Sequence, residues 1–226
     1  MLDKAQNIDF DKIVLTAENI SEAFKNGKKF KDLMTCYSCA IMEVETKFKV
    51  LSAEFSTLHD RNPIESIKSR LKEPISIFNK LNRIGSEISL ISIEEKLFDI
   101  AGVRVICSFI EDVYFLADCL AKQNDVEVIQ IKDYIKNPKE NGYRSYHMII
   151  KVPIFYANEV KYIAVEIQFR TIAMDFWASL EHTIRYKKVI ENSKEIEQEL
   201  KECAVSSHEW DIKMQNLLHI IQNKKE

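Results

Sequence analysis

Between Ile67 and Thr171 the spacing of apolar residues keeps changing step, from every second position to every third or fourth and back. Few architectures accommodate such switching. In "KYIAVEIQFRT" the residues Ile163, Val165, Ile167 and Phe169 face one way, and Glu166, Gln168 and Arg170 face the other, as on an extended chain. "AGVRVICSF" repeats the pattern with Val103, Val105 and Cys107, and "VEVIQIKDYI" and "YRSYHMIIKV" alternate again. "RNPIESIKSRLK" supports two readings. Asn62, Pro63 and Glu65 resemble a helix cap, but Ile67, Ser69 and Leu71 alternate with Lys68, Arg70 and Lys72, and a short strand is expected. "PISIFNKLNRIG" reads as a helix that starts at proline and stops at Gly85; "EDVYFLADCLAKQ" and "AMDFWASLEHTIRY" read as helices too. The short connection between the last two strands predicts a hairpin. Strands interleaved with helices imply an α+β fold, a mixed sheet of about five strands flanked by helices.

Both ends are helical in pattern. Phe10, Ile13, Val14, Ala17, Ile20 and Phe24 line one face, and Asn26-Gly27 stops it. A longer face follows through Phe30, Leu33, Met34, Tyr37, Ile41, Val44, Phe48, Leu51 and Phe55. At the far end Ile196, Leu200, Cys203, Ser207, Trp210, Met214, Leu217 and Ile221 recur at alternating steps of four and three, a seam suited to another helix of this chain or of a second copy. The expected organisation is N-terminal helices over 1–58, a catalytic domain over 59–188 and a C-terminal helix over 189–226.

The formal net charge is −3 and the pI about 6.0, which argues against bulk duplex binding. No basic-then-apolar leader opens the sequence, and no apolar run nears the roughly 18–20 residues that span a bilayer, so a cytoplasmic protein is expected. Cys36 and Cys39 form a C-x-x-C without a second pair and read as ordinary thiols on a helix.

Four glycines, Gly27, Gly85, Gly102 and Gly142, lie too far apart for a glycine-rich phosphate loop. Phosphates would need side chains. Lys68, Arg70 and Lys72 project together from a strand, and Ser76, Lys80 and Arg83 lie along one side of the next helix. They form either one cationic pocket or a solvated basic face. Two acids stand out of place. Asp99 precedes the turn at Ala101-Gly102, and Glu166 interrupts an apolar strand, where it needs a partner or a cation. An Arg170 contact would satisfy it; so would a magnesium ion shared with Asp99. In "KENGYRSYHMII", Gly142 permits a bend and Tyr143 offers a ring that can stack on a base, with Ser145 and His147 expected on its face of the following strand. Tyr146 reads as packed on the sheet. Phe176, Trp177 and Leu180 read as core, and Asp175, Glu181 and His182 as a solvated helix surface.

"RLKEPISIFNKLNR", "DIAGVRVIC", "KDYIKNPKENGYRSYHMII" and "VEIQFRTIAMDFWASLEH" together resemble the synthetase domain of the RelA/SpoT alarmone enzymes, over about Arg70–Tyr186. The length is similar to that of the small, single-domain synthetases. The resemblance implies a nucleotidyltransferase-like sheet. It also implies Mg2+-dependent transfer of pyrophosphate from ATP to the 3′-hydroxyl of GDP or GTP, giving (p)ppGpp and AMP. Asp99 matches a metal-binding aspartate, and Glu166 a glutamate that binds metal, activates the hydroxyl, or both. Arg70 and Arg104 match arginines that sandwich adenine. Lys72, Ser76, Lys80 and Arg83 match contacts to the ATP phosphates. Tyr143 matches a ring stacked on guanine, with Lys132, Lys139, His147 and Gln168 around the acceptor. Small members resemble homotetramers, and some bind single-stranded RNA. The competing class is a catalytically weak guanine-nucleotide or RNA-binding regulatory module.

Overall fold

The computed structural model describes residues 27–186 and 193–223; the helix expected over 10–24 lies outside them. Five strands, β1 (Ile64–Leu71), β2 (Ala101–Cys107), β3 (Glu127–Asp133), β4 (Tyr146–Phe155) and β5 (Val160–Thr171), form one sheet in the order β1-β2-β5-β4-β3. Only β2 and β5 run parallel; the other pairs are antiparallel. The described helices are α1 (Lys28–Leu58), α2 (Pro74–Arg83), α3 (Leu90–Lys96), α4 (Ile110–Ala121), α5 (Ile172–Tyr186) and α6 (Ser193–Gln222). The mixed sheet flanked by helices is the expected fold.

The alternating apolar positions do what their period demands. Val103, Val105, Val165, Ile167, Phe169, Met148 and Ile150 are buried. The long helix α1 packs along β1, β2, β4 and β5, and its Phe48 meets Phe169 edge-on at 5.7 Å between ring centroids. Burying a side chain of this size is worth about 1.5–3 kcal/mol, so this layer anchors the sheet. Tyr146 packs edge-on against Tyr114 and Phe169, as expected.

The opposite alternation carries polar groups across the sheet in register. Lys68 pairs with Arg104, Arg104 with Gln168, Gln168 with His147, and His147 with Lys132. One step along, Arg70 pairs with Gly102 and Gly102 with Glu166. Residues from Lys68 to Gln168 thus contribute to one polar face.

Three readings need correction. The short helix α3 was not expected, although Ser89 caps it by accepting a hydrogen bond from the Ser92 amide at 3.1 Å. Phe176 and Leu180 are exposed, because α5 buries the stripe Met174, Trp177 and Ala178 instead. β4 begins at Tyr146, so Tyr143 sits in a loop and shares no strand face with Ser145, which is buried and donates to the Phe169 carbonyl at 3.1 Å.

Helix α6 meets α5 through Ala204 and Ser207, the end of β5 through Asp211 and α4 through Gln215, leaving Trp210, Met214, Leu217 and Ile221 of the expected seam exposed. Trp177 donates its indole N–H to the Leu200 carbonyl at 2.7 Å. Gly142 has φ of +87°, and a Cβ there would lie 2.5 Å from the Ala204 Cβ, so glycine lets α6 press against the Tyr143 loop. Thr171 donates to Asp211 at 2.6 Å and accepts from the Met174 amide, closing the start of α5.

Burial pushes the Asp211 carboxyl up to about 6, against the Thr171 hydrogen bond and the Arg144 charge. An acid with a raised folded pKa favours the folded state while protonated, so this contribution falls as pH rises from about 4 to 6 and stays low above that. Asp211→Asn is therefore expected to raise stability at pH 8 by about 1–2 kcal/mol and to lose that advantage near pH 4. Denaturant titration at the two pH values checks it.

Candidate active site

Asp99 stands at the turn into β2, where the Lys72 amide donates to the Ile100 carbonyl at 2.8 Å and draws the end of β1 alongside. The contact places Lys72 Nζ 2.9 Å from Asp99 Oδ2, and α2 brings Lys80 Nζ to 2.7 Å from Oδ1. Burial favours the neutral acid, but Lys80 and Lys72 outweigh it and hold the Asp99 carboxyl below the usual range. Lys72 is itself buried, which an ammonium tolerates only with such a partner.

Glu166 lies mid-strand on β5. Its Oε1 is 3.2 Å from His147 Nδ1, and its Oε2 accepts from Gln168 Nε2 at 2.9 Å. Of the two partners the sequence allowed, the Arg170 contact is not made; these two contacts stand in its place, because β4 and β5 pair His147 with Gln168 across the strands. Burial raises the Glu166 pKa and nearby Asp99 adds to that, yet the His147 contact prevails and the carboxyl is held below its ordinary value.

Asp99 and Glu166 line one cavity of about 370 Å³ together with Lys68, Ser69, Arg70, Gly102, Val103, Arg104 and Gln168. Gly102 lies in register between Arg70 and Glu166, and its missing side chain leaves the floor open. Ser76 and Arg83 are exposed on α2 and do not line this cavity. Lys132 is exposed on β3, in register with His147.

Tyr143 reaches the acid face through its hydroxyl, which is 2.8 Å from His147 Nε2 and accepts from Arg170 at 2.8 Å. Two cations lie near its ring, Lys139 at 4.8 Å and Arg170 at 5.2 Å from the centroid. Arg170 also donates to Gln168 Oε1 at 3.1 Å. Glu166, Gln168, Arg170, Tyr143 and His147 thereby form a closed hydrogen-bonded ring.

Asp175 is not a solvated helix residue. It is buried, and it accepts from Arg170 at 3.0 Å, Arg104 at 3.1 Å and Lys68 at 3.3 Å. Neither Asp175 nor Arg170 was singled out as a site residue. For Arg170 a signal existed, since alternation puts it on the face of Glu166 and Gln168.

Among the described residues no group of three or more His, Cys, Asp or Glu side chains could hold a metal. Magnesium needs fewer, since it takes one or two carboxylates and completes its shell with water and phosphate oxygens. Asp99 Oδ1 is buried without a hydrogen bond of regular geometry, despite the nearby Lys80 ammonium. That oxygen and the Glu166 carboxylate fit such an ion.

Cations around two carboxylates in one cleft, beside a cation-flanked ring, define a protein built to handle polyphosphate esters of an aromatic base. Residues 69–191, over half the chain, match the region found in RelA / SpoT proteins. This chain belongs to the RelA/SpoT family. It is 48% identical over 185 residues to the GTP pyrophosphokinase YwaC of Bacillus subtilis (strain 168), covering 82% of this chain and 88% of that protein. It is 36% identical over 162 residues to GTP pyrophosphokinase YjbM of the same organism, covering 72% and 75%. Among solved structures it is similar to small alarmone synthetase 1 from Bacillus subtilis bound to its product pppGpp, with TM-score 0.79 and 32% identity over 87% of this chain and 100% of that one. Small alarmone synthetase 2 from Bacillus subtilis gives TM-score 0.76 and 44% identity over 85% and 99%.

Proposed function

We propose that this chain is a (p)ppGpp synthetase that moves pyrophosphate from ATP to the 3′-hydroxyl of GDP or GTP and releases AMP. The observation that carries the reading is the meeting of Asp99 and Glu166 in one cavity walled by Arg70 and Arg104. The relatives' activities and the product-bound structure support it. Two polyanions must approach each other, so positive charge has to offset their repulsion; Lys72, Lys80, Lys68 and the arginines supply it. Arg70 and Arg104 grip the adenine, while Tyr143 takes the guanine once Lys139 yields its ring face. Glu166, ionised by virtue of its lowered pKa, takes the proton from the 3′-hydroxyl. Asp99 and Glu166 would hold Mg2+, which when bound spreads the charge developing on the transferred group.

The exposed seam of Trp210, Met214, Leu217 and Ile221 supports self-association, and the family resemblance gives the homotetramer as the form it takes. Among the described residues no helix is long and apolar enough to cross a membrane, which agrees with a cytoplasmic enzyme. Regulation by single-stranded RNA belongs to this reading on the family resemblance, and a mobility assay beside the transfer assay tests it. The alternative of a catalytically weak binding module is not favoured, since such a module has no use for the paired acids.

Chromatography after incubation of ATP with GDP, GTP or GMP tests the activity. AMP and a guanine nucleotide longer by two phosphates should appear in equal amounts; release of ADP in place of AMP would overturn the reading. Tyr143→Ala should raise the acceptor KM by ~5–150-fold, the loss of roughly 1–3 kcal/mol of stacking, with the ATP KM little changed. Steady-state kinetics with each nucleotide varied in turn checks it.

A further inference from the structure

We propose that Asp175 is a positioning residue that couples the two nucleotide half-sites, holding Arg104 on the donor side and Arg170 on the acceptor side through one carboxylate. The role rests on the transferase reading above.

Asp175 lies in the first turn of α5, directly after β5. Its Oδ1 accepts from two guanidinium groups at once, Arg104 Nη1 at 3.1 Å and Arg170 Nη1 at 3.0 Å. Its Oδ2 accepts from Lys68 Nζ at 3.3 Å. The three cations come from β2, β5 and β1. Arg104 lines the cavity, whereas Arg170 reaches away from Asp175 with its other arm, donating to the Tyr143 hydroxyl and to Gln168. Gln168 in turn donates to Glu166. One carboxylate therefore stands between the candidate adenine arginine and the ring that holds the candidate base and the acceptor tyrosine.

The charge arithmetic explains why a carboxylate is needed there. Two partly buried guanidinium groups converge on one point and repel each other. Burial and then Arg170 depress the affinity of Arg104 for its proton, and the Asp175 carboxylate offsets part of that loss. The Nε atoms of both arginines are buried without hydrogen-bond partners, so neither guanidinium has a second anchor at that end. Without the negative charge at Asp175 the two would separate. Arg104 would leave the adenine wall, and Arg170 would release Tyr143. A charge buried behind the cavity would thus alter the handling of both nucleotides.

Asp175→Asn keeps the shape and one acceptor oxygen but removes the charge. Steady-state kinetics, with ATP and GDP varied in turn, should show KM for both rising together by about 10–100-fold, as for loss of a charge-assisted contact on each side. Asp175→Glu should recover part of that loss. Arg170→Lys cuts only the acceptor arm and should raise KM for GDP alone. It also provides the test should Asp175→Asn not fold, as judged by circular dichroism. A lowered Tm with unchanged KM values would show a purely structural role and overturn the proposal. A change confined to one nucleotide in Asp175→Asn would overturn the coupling. Wild-type chain that forms no AMP from ATP and GDP would overturn the transferase reading and this role with it, an outcome visible before any variant is compared.

Discussion

Asp99→Asn is expected to abolish most transfer, lowering kcat by ~10³-fold if the carboxylate holds the ion, whose electrostatic contribution amounts to several kcal/mol. The same change should leave ATP binding intact or tighter. Lys72 and Lys80 both spend their charge on Asp99 in this structure, at 2.9 and 2.7 Å. Once the carboxylate is neutral, both ammonium groups are free for phosphate oxygens. A collapse of kcat with a constant or lower KM for ATP is therefore the expected signature, and initial rates over a range of ATP check it. Stability should fall as well, because buried Lys72 loses its counterion. ATP should restore part of that stability by supplying another anion.

Glu166→Gln should cost ~10²–10⁴-fold in kcat if the glutamate takes the hydroxyl proton, the usual contribution of a positioned base. Glutamine has nearly the same shape and keeps one acceptor for Gln168, so the loss would report charge and basicity rather than packing. The pH dependence carries a sign. His147 holds the Glu166 pKa below its ordinary value in spite of burial. The carboxylate is then ionised at neutral pH, and activity should decline only as pH falls through that depressed value. Its stabilising contribution follows the same direction, present above the unfolded pKa and lost on acidification. Glu166→Gln should erase this acid limb of kcat/KM. Rates across pH 4–8 for wild type and variant check both statements.

Much of this site was legible because its two acids violate local patterns. Glu166 sits among Ile163, Val165, Ile167 and Phe169, and an ionised group in such company has to be explained. The alternation that exposed it also placed Gln168 and Arg170 beside it and identified the sheet. Tyr143 stood out in the sequence as a candidate stacking ring, but the structure places it in a loop and not on a strand. The positive φ at Gly142 and the inward turn of Ser145 delay β4 until Tyr146, and neither follows from apolar spacing. Asp175 was illegible for a different reason. A polar residue on an amphipathic helix reads as solvated, and two of the three cations around it arrive from positions 71 and 107 residues away. Phe176 and Leu180 misled in the opposite sense. Their size suggests a core, whereas the stripe that α5 turns inward is Met174, Trp177 and Ala178.

Paramagnetic resonance of Mn2+, standing in for magnesium, addresses the site most directly. Titrated into the wild-type chain with a non-hydrolysable ATP analogue, Mn2+ should occupy one site per protomer. It should bind far more weakly to Asp99→Asn and measurably more weakly to Glu166→Gln. Undiminished Mn2+ binding in both variants would mean that these two acids share no cation, and the account of the active site would be wrong.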